Sequence, residues 1–280
     1  MKLIADSGAT KTDWWIGDET GHGRMVQTEG INPFHQGEEA MRRIVTDQLL
    51  PQLGGHEAGS CTAVCFYGAG CLPATSGKVV SCLQEAFPQA AADVQSDLLG
   101  AARAVCGHDA GIACILGTGS NSCLYNGQEM VQNVSPLGYI LGDEGSGAYL
   151  GKRFVGDCLK GLLPAALRDG LLETYGLTPA LLLDKVYRQP LAHRFLASLV
   201  PFIHAHRQEP EVAAFLDDCF CQFFVRNVLA YHSPLPASFT GSVAWYFQEE
   251  VKKAAARLNI PVGSFVKKPI EGLVRYHGTV

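Results

Sequence analysis

The chain begins MKLIADSGATKTDWWIGD (residues 1–18), in which a polar turn with one glycine separates two runs of apolar residues. The Gly-x-Thr-Lys of this turn invites comparison with the phosphate loop of P-loop NTPases, which needs Gly-x-x-x-x-Gly-Lys-[Ser/Thr] followed by a helix. Here Lys11 follows a threonine, and residues 12–16 are mostly aromatic or β-branched, which favours a strand. The P-loop interpretation therefore fails, but a polar turn between two strands could hold phosphate in another geometry.

The composition limits the class of protein. The chain has 280 residues, 47% hydrophobic and 18% charged, which is typical of a compact globular protein of one large or two medium domains. A formal net charge of −5 argues against nucleic acid as a partner. The amino terminus enters a strand without the apolar segment of a signal peptide, and no run of about 18 apolar residues occurs. We therefore expect a cytoplasmic protein that does not cross a membrane.

The ten cysteines are expected to be reduced thiols, because no export signal is present. None forms Cys-x-x-Cys, and the closest pairs are Cys61 with Cys65 and Cys219 with Cys221. Several others lie in apolar strand-like runs, where cysteine behaves as a small hydrophobic residue. The spacing therefore does not predict a metal site.

The first part of the chain alternates strand and helix patterns. Strands are predicted at residues 2–6, 14–16, 24–28, 62–67 and 94–96, and helices at 38–53, 78–87 and 98–106. Three consecutive strands followed by strand–helix alternation predict an α/β domain with a mixed sheet.

The same pattern begins again near residue 112. A strand at 112–116, a turn at 117–120 and a strand at 123–125 match the first hairpin with an offset of 111. The matched pairs are Ile4 with Ile115, Ser7 with Thr118, Gly8 with Gly119, Thr10 with Asn121, and Trp14 with Tyr125. This repeat predicts two related halves that join near residues 108–115 and each present a hairpin loop to one cleft. Further along, helices are predicted at 146–163, 191–206, 212–232 and 248–258, and a strand at 239–243.

Both hairpin loops are rich in Gly, Ser and Thr, a composition that suits phosphate binding. Glycine lets backbone N–H groups approach phosphate oxygens closely, and hydroxyls donate hydrogen bonds without crowding. The same residues are common in ordinary hairpin turns, so each loop alone is ambiguous. The recurrence of the loop in both halves favours a ligand.

Three further segments carry candidate side chains. Asp97 lies at the junction of a strand and a helix, where an aspartate can either cap the helix or act as a general base. Acidic residues in GDEGSG (residues 142–147) suit a helix start. The four glycines of residues 138–147 indicate a backbone pressed against something, with Asp143 available to bond hydroxyl groups. Gly241 and Ser242 follow a strand, where a nucleotide base or a helix could approach closely.

Five of these segments together carry a resemblance to a known family. They are ADSGATKT (5–12), QSDLLGAARA (95–104), ILGTGSNS (115–122), LGYILGDEGSGAYLG (137–151) and FTGSVAWYF (239–247). Their order resembles that of N-acetylglucosamine kinases and the related BadF/BadG/BcrA/BcrD ATPases of the actin/hexokinase/Hsp70 superfamily. The resemblance runs from residue 1 to about residue 272. It implies two actin-like (ribonuclease H-like) α/β domains, residues 1–112 and 113–280, each with a mixed sheet flanked by helices. The active site would lie in the interdomain cleft, and the last helix would pack back on the first domain.

The resemblance also implies roles for individual residues. Asp97 corresponds to the catalytic base, which also contacts the sugar, and Asp6 to the residue that holds Mg²⁺ through water. The positions that correspond to ATP-binding residues are Gly8, Thr10 and Lys11 in the first phosphate loop, Thr118 and Gly119 in the second, and Gly241 and Ser242 at the adenosine. The positions that correspond to sugar-binding residues are Asn32, Ser120, Asn121 and Asp143.

The implied activity is transfer of the γ-phosphoryl group of ATP, with Mg²⁺, to a hydroxyl of a small sugar. We take carbon 6 of N-acetylglucosamine as the expected acceptor and leave a homodimer open. Alternatives are a glucosamine or other hexose kinase, an ATPase that activates a radical dehydratase through a cysteine-held iron–sulfur cluster, and a non-catalytic sugar sensor. The chain departs from the family at Ala9, where a glycine is frequent, and at Leu137, where some animal members carry tryptophan.

Overall fold

The computed structural model describes residues 1–8, 10–18, 22–54 and 58–278. The chain divides into two compact units. Unit 1 comprises Met1–Asp109, Gly127–Met130 and the carboxyl-terminal residues from Lys268, and unit 2 comprises Ala110–Asn126 and Val131–Lys267. None of the helices in the described part of the chain is long and apolar enough to cross a membrane.

Unit 1 is built on a five-stranded mixed sheet in the order β3-β2-β1-β4-β5. The strands are β1 (Lys2–Ser7), β2 (Lys11–Gly17), β3 (Gly23–Glu29), β4 (Ala63–Gly68) and β5 (Ala91–Ser96). Strands β1, β2 and β3 pair antiparallel, while β4 pairs parallel with both β1 and β5. The carboxyl ends of three parallel strands therefore meet at one edge of the sheet.

The helices of unit 1 cover the two faces of this sheet. They are α1 (Glu38–Arg43), which continues as a π-helix (Ile44–Leu49) and a 3₁₀ turn (Leu50–Gln52), then α2 (Ser76–Ala86), α3 (Asp97–Cys106) and α13 (Pro269–Gly278). Trp14 and Phe66 lie in the core under α1 and α2, whereas Trp15 and Tyr67 face α3 and α13. Helix α13 approaches α3 so closely that a β-carbon at Gly272 would lie 2.2 Å from the carbonyl oxygen of Ala104. The last helix therefore belongs to the core of unit 1.

Unit 2 repeats this topology with a sheet in the order β10-β9-β6-β7-β8. The strands are β6 (Gly111–Leu116), β7 (Ser120–Tyr125), β8 (Met130–Val134), β9 (Ala237–Thr240) and β10 (Val262–Val266). Strand β6 pairs antiparallel with β7 and parallel with β9, which pairs parallel with β10. The predicted fold class, two α/β units with mixed sheets, is confirmed.

Unit 2 carries more helices than unit 1 among the described residues. They are α4 (Gly138–Leu141), α5 (Gly147–Leu159), α6 (Ala165–Thr174), α7 (Pro179–Tyr187), α8 (Ala192–Ser198), α9 (Val200–Ala205), α10 (Pro210–Phe223), α11 (Ser242–Tyr246) and α12 (Gln248–Arg257). Helix α10 continues as a π-helix (Phe224–Val228) and a 3₁₀ turn (Leu229–Tyr231). The core of the unit is rich in phenylalanine from α5, α10 and β9.

The structure corrects three sequence-based details. The last paired residue before the turn is Ser7 in one hairpin and Leu116 in the other, so the repeat has an offset of 109 at this point, not 111. The helix predicted at 191–206 is two helices, because Pro201 lacks the N–H that a continuous helix needs. The strand predicted at 239–243 ends at Thr240, since Gly241 has a φ of 104° and a helix begins at Ser242.

Candidate active site

Three carboxylates concentrate at the edge of unit 1 where its parallel strands end. Asp6 on β1 lies directly opposite Asp13 on β2, and Asp97 is the first residue of α3. Burial, followed by the negative charges of Asp13 and Asp97, raises the pKa of Asp6 to about 7, against the opposing effect of Lys11. This edge therefore holds more negative charge than the neighbouring lysine balances, and a cation would be stabilised there.

Asp13 is a member of this group that sequence reasoning missed. Its carboxylate is almost fully buried and lies 2.9 Å from the Lys11 ammonium, and the amide of Gln27 also donates to it. The signal that could have found it is the symmetry of Asp6 and Asp13 about the turn, since antiparallel strands bring such residues together. Lys11, with a side chain 51% exposed, is thus ion-paired, and contact with a phosphate would compete with this pair.

The first hairpin turn is anchored by hydroxyl groups. Ser7 Oγ is buried, lies 2.7 Å from Thr12 Oγ1 and accepts from the backbone N–H of Ile31. Gly8 and Thr10 are exposed, with the Gly8 N–H donating to the Lys11 carbonyl. Ala9 lies outside the described residues. Gly8 and Thr10 are therefore accessible to a ligand, and their contact with phosphate stays a prediction.

Asp97 is not the cap of its helix, because Ser96 holds that position. Ser96 Oγ accepts a hydrogen bond from the N–H of Leu99 at 3.2 Å. The Asp97 carboxylate accepts from the N–H of Leu98 at 2.9 Å, and burial raises its pKa above the ordinary value despite this bond. The capping alternative for Asp97 is wrong, which leaves its carboxylate as a candidate proton acceptor.

Asn32 lies in the turn after β3, where its side-chain oxygen accepts from the N–H of Phe34 at 3.0 Å. Its side-chain nitrogen has no hydrogen-bond partner in the described part of the chain and can donate to a ligand. Gly70, in the loop after β4, has a φ of 77°, and a β-carbon there would lie 2.3 Å from Asn32 Oδ1. The absence of a side chain at Gly70 therefore leaves room for Asn32, a contact that sequence reasoning missed.

The second hairpin turn, in unit 2, is tied to a helix start. The Gly117 N–H donates to the Gly119 carbonyl at 2.9 Å. The carbonyls of Gly117 and Thr118 accept from the first N–H groups of α5, those of Gly147 and Ala148, at 2.8 and 3.0 Å. The turn containing Thr118 and Gly119 is thus held by both its own strand pair and α5.

Asp143 lies against this turn. The carboxylate is buried, its backbone is left-handed with a φ of 57°, and a β-carbon at Gly119 would lie 3.1 Å from its Oδ2. Burial raises the pKa of Asp143 to about 6, which the backbone N–H of Ser120 and the charge of Lys152 partly offset. The geometry brings Asp143, Gly119 and Ser120 together, and their roles in binding phosphate and sugar stay predictions.

Ser120 and Asn121 do not face the same side. Neighbouring residues on a strand point to opposite faces of the sheet, and both residues lie on β7. Ser120 Oγ is buried without a hydrogen-bond partner in the described part of the chain, and the Ser120 backbone N–H donates to the Asp143 carboxylate. Asn121 Oδ1 instead accepts from Ser122 N–H and from the side-chain amide of Asn133. The structure thus joins Ser120, but not Asn121, to the Asp143 group.

Three of the four glycines of residues 138–147 lie against other atoms of the protein, whereas a β-carbon at Gly138 would have no atom within 4 Å. A β-carbon at Gly142 would lie 2.2 Å from the Pro136 carbonyl oxygen, and one at Gly145 would lie 3.0 Å from the side chain of Phe223. The cap of α5 is Ser146, whose hydroxyl accepts from Tyr149 N–H at 3.1 Å. The expectation of a closely pressed backbone is thus correct, but the neighbouring atoms are those of the chain.

A cavity of about 440 Å³ opens beside the second turn. One end is formed by Gly117, Thr118 and Ser242, and the walls are mainly apolar. Gly241, just before Ser242, has a φ of 104°, and a β-carbon there would lie 2.4 Å from the Leu116 carbonyl oxygen. The Gly241–Ser242 segment therefore lies directly against the end of β6, next to the turn.

The cysteine pairs do not suit a cluster shared between subunits. In each pair one member is buried, namely Cys61 with 1% of its surface exposed and Cys219 with 0%. A cluster at a subunit contact needs thiolates at the surface, whereas burial raises the pKa of both thiols. These pairs therefore do not support the dehydratase-activator alternative.

Comparisons with solved structures agree with this architecture. The putative N-acetylglucosamine kinase from Porphyromonas gingivalis is 48% identical, with 99% of each chain covered and a TM-score of 0.94. That from Chromobacterium violaceum is 20% identical, with 99% of this chain and 98% of that chain covered and a TM-score of 0.72. The ROK hexokinase from Thermus thermophilus is 13% identical, with 99% and 96% covered and a TM-score of 0.55. The last two show the shared fold alone.

No protein-family model matches the chain, and none of the curated proteins does either. The assignment to a family therefore rests on the relative that is 48% identical over almost the whole of both chains, together with the shared two-unit fold. The chain belongs to the family of the putative N-acetylglucosamine kinase from Porphyromonas gingivalis.

Proposed function

We propose that this protein is an ATP-dependent sugar kinase that phosphorylates carbon 6 of an amino sugar, with N-acetylglucosamine as the acceptor. Family membership supports a kinase phosphotransferase. The observation that carries the proposal is Asp97, a partly buried carboxylate with a raised pKa at the carboxyl end of β5. A small sugar as substrate and the cytoplasm as the place of action are parts of the same proposal.

Asp97 is assigned the role of general base. The acceptor hydroxyl attacks the γ-phosphorus, a new O–P bond forms, the bond to the β,γ-bridging oxygen breaks, and ADP leaves. The hydroxyl proton passes to the Asp97 carboxylate, whose raised pKa makes it a better proton acceptor than an exposed aspartate. Such a group contributes about 10²- to 10⁴-fold in rate. The rest of the acceleration would come from in-line positioning and charge neutralisation.

The nucleotide is assigned to the two hairpin turns and the cavity of unit 2. Gly8, Thr10 and Lys11 would contact phosphates from one turn, and Thr118 and Gly119 from the other. The nucleoside would occupy the cavity of about 440 Å³, next to the Gly241–Ser242 segment. The support is that Gly117 and Thr118 line this cavity, so a nucleoside bound there would have its phosphates near the second turn.

Magnesium fits the carboxylates of unit 1. Carboxylate oxygens are the ligands that Mg²⁺ prefers, and it usually retains several waters, which agrees with contact through water at Asp6. The pKa of Asp6, raised to about 7 by burial and by Asp13 and Asp97, indicates negative charge that a cation would relieve. When bound, the ion neutralises charge on the transferring phosphate. Asp6 and Asp13 would orient its waters from the ends of β1 and β2.

The sugar is assigned to side chains with unused hydrogen-bonding capacity. The unpartnered Ser120 hydroxyl and the Asp143 carboxylate would bond sugar hydroxyls from unit 2, and the Asn32 side-chain nitrogen would donate from unit 1. Asn121 has only its amide nitrogen left for this role, so its contact with sugar is the least supported. Leu137, 62% exposed, replaces the tryptophan of some animal members, so the N-acetyl preference needs a direct test.

The experiment that tests the mechanism is Asp97→Asn. Asparagine keeps the shape and accepts from the N–H of Leu98, but it cannot take the proton. Turnover should fall about 10²-fold or more with sugar and ATP binding little changed. Stability should not fall, because Ser96 provides the cap, and it should increase at neutral pH, because a carboxylate whose pKa is raised by burial is removed. Near-normal turnover of Asp97→Asn would refute the assignment.

Ser96→Ala is the matched control for that experiment. It removes the helix cap and should cost about 1 kcal/mol of stability, while turnover at a temperature where the variant is folded should stay close to that of the wild type. Loss of turnover in both variants would mean that distortion at the start of α3, and not a missing base, explains the effect.

The acceptor is tested by following ATP consumption with glucosamine, N-acetylglucosamine, N-acetylmannosamine, N-acetylmuramic acid and glucose. Phosphorus NMR of the product identifies the phosphorylated carbon. A higher kcat/KM for glucose than for every amino sugar would contradict the acceptor class, and a product phosphorylated elsewhere than at carbon 6 would contradict the assigned hydroxyl.

A further inference from the structure

The residues that line the cavity in unit 2 indicate how a nucleotide base would be recognised. This inference rests on the proposed function. The walls include Ala197, Val200 and Pro201 from α8 and α9, and Val243, Tyr246 and Phe247 at α11. Thr118 and Ser242 also line the cavity, and their hydroxyls can each donate or accept, so they would not distinguish one purine from another. A base in the cavity would therefore meet mostly hydrocarbon and the aromatic rings of Tyr246 and Phe247.

Tyr246 is held in place as a wall of this cavity. Its ring is 54% exposed, and the Lys267 ammonium lies 5.4 Å from the ring centroid. The His204 ring meets the tyrosine ring edge to face, with centroids 5.9 Å apart, and His204 Nε2 bonds the Tyr246 carbonyl at 3.2 Å. An exposed ring that is fixed from two sides offers its remaining surface to a flat ligand at little entropic cost.

The other polar side chains of the cavity also discriminate poorly between bases. Of the lining residues that the structure describes, these are His204 and Tyr246. His204 Nε2 is already engaged, and its other ring nitrogen can donate or accept according to tautomer. The Tyr246 hydroxyl can likewise donate or accept, so it would bond the 6-amino group of adenine or the 6-oxygen of guanine equally well.

We propose that the base is bound by stacking on Tyr246 and by apolar contact, with its hydrogen-bonding edge left in water, so that the protein accepts purine nucleoside triphosphates as a class. Stacking on an aromatic ring tolerates any base, because every base has a π-face. An apolar pocket disfavours a ligand that carries one different polar group by only about 100-fold. A pocket that forms hydrogen bonds to that group disfavours the wrong ligand by about 10⁴-fold or more.

The test compares ATP, GTP and ITP as donors with the full chain and the best acceptor sugar. The kcat/KM values for sugar phosphate formation should agree within about 100-fold. A larger preference for any one base overturns the inference. Turnover with ATP alone would contradict this inference and leave the proposed function standing, whereas no turnover with any donor would contradict the proposed function. Calorimetric binding of the three nucleotides, with the same threshold, tests base recognition without turnover.

Variants of the ring complete the test. Tyr246→Ala should weaken binding of all three nucleotides by a common factor of about ten or more. Tyr246→Phe should leave the ratios among the three dissociation constants unchanged, and a changed ratio would show that the hydroxyl reads the base and would overturn the inference. Tyr187→Ala, at another exposed tyrosine of unit 2, is the control for loss of an aromatic side chain. An effect of Tyr246→Ala no larger than that of Tyr187→Ala would also overturn it.

Discussion

Replacing Asp143 with asparagine is expected to make the protein more stable at neutral pH and less active as a kinase. The carboxylate is 8% exposed, and burial is the main reason why its pKa rises from 3.8 to about 6, with a smaller contribution from the charge of Glu144. One pKa unit corresponds to about 1.4 kcal/mol, so at pH 7 the folded protein carries a cost of about 3 kcal/mol for holding this group ionised.

Asparagine removes that cost and retains the local geometry. Its side-chain oxygen can still accept from the N–H of Ser120, and asparagine tolerates the left-handed backbone that Asp143 adopts. We therefore expect Asp143→Asn to gain up to about 3 kcal/mol in unfolding free energy at pH 7. Phosphoryl transfer should decrease, because a carboxylate proposed to bond sugar hydroxyls has been lost.

The stability difference between the wild type and Asp143→Asn should depend on pH in a definite direction. Below about pH 4 the carboxyl is protonated in both the folded and the unfolded chain, so it contributes no cost and the two proteins should be equally stable. Between about pH 4 and 6 the unfolded chain ionises this group while the folded protein still holds it protonated, so the wild type loses stability relative to the variant over this range. Above about pH 6 the difference should stay constant.

The assay is calorimetric unfolding of the full chain at pH 4, 5, 6 and 7. Asp169→Asn is the control in the same unit, because its carboxylate is 64% exposed and a hydrogen bond from Arg168 lowers its pKa, so this change should bring no gain at pH 7. A gain for Asp143→Asn that is absent at pH 7, or of equal size at pH 4 and pH 7, would refute the electrostatic reasoning.

Two further substitutions test the positions of other site residues. Gly70→Ala should displace Asn32 and raise the KM for sugar at least several-fold more than the KM for ATP in steady-state kinetics. Gly107→Ala is its control, because it shares a positive φ but would have no atom within 4 Å, and equal effects of the two would contradict the contact argument. Gly119→Val should weaken ATP binding in calorimetry and also displace Asp143, whose Oδ2 would lie 3.1 Å from the new β-carbon. Unchanged ATP affinity would contradict the second phosphate-loop assignment.

The sequence alone determined the architecture, because the signals for it are local. The hairpin at ADSGATKTDW and its repeat at ILGTGSNS follow from strand propensity and turn residues within about a dozen positions, and the shared topology of the two sheets confirms them. Short elements such as β8 and β10 were missed, since five residues of mixed polarity carry little periodicity. The predicted offset of 111 was also wrong, since the strands before the two turns align at an offset of 109.

Only the tertiary structure decided which polar groups act together. Register across β1 and β2 places Asp13 opposite Asp6, and alternation along β7 separates Ser120 from Asn121. One residue of difference in the helix start gives the cap to Ser96 and leaves Asp97 without that role. The contact of Gly70 with Asn32, the cavity beside Tyr246 and every raised pKa depend on burial among residues far apart in the chain. The pKa values and contacts depend on burial and on distances between residues far apart in the chain. Neither quantity can be read from a short segment of sequence.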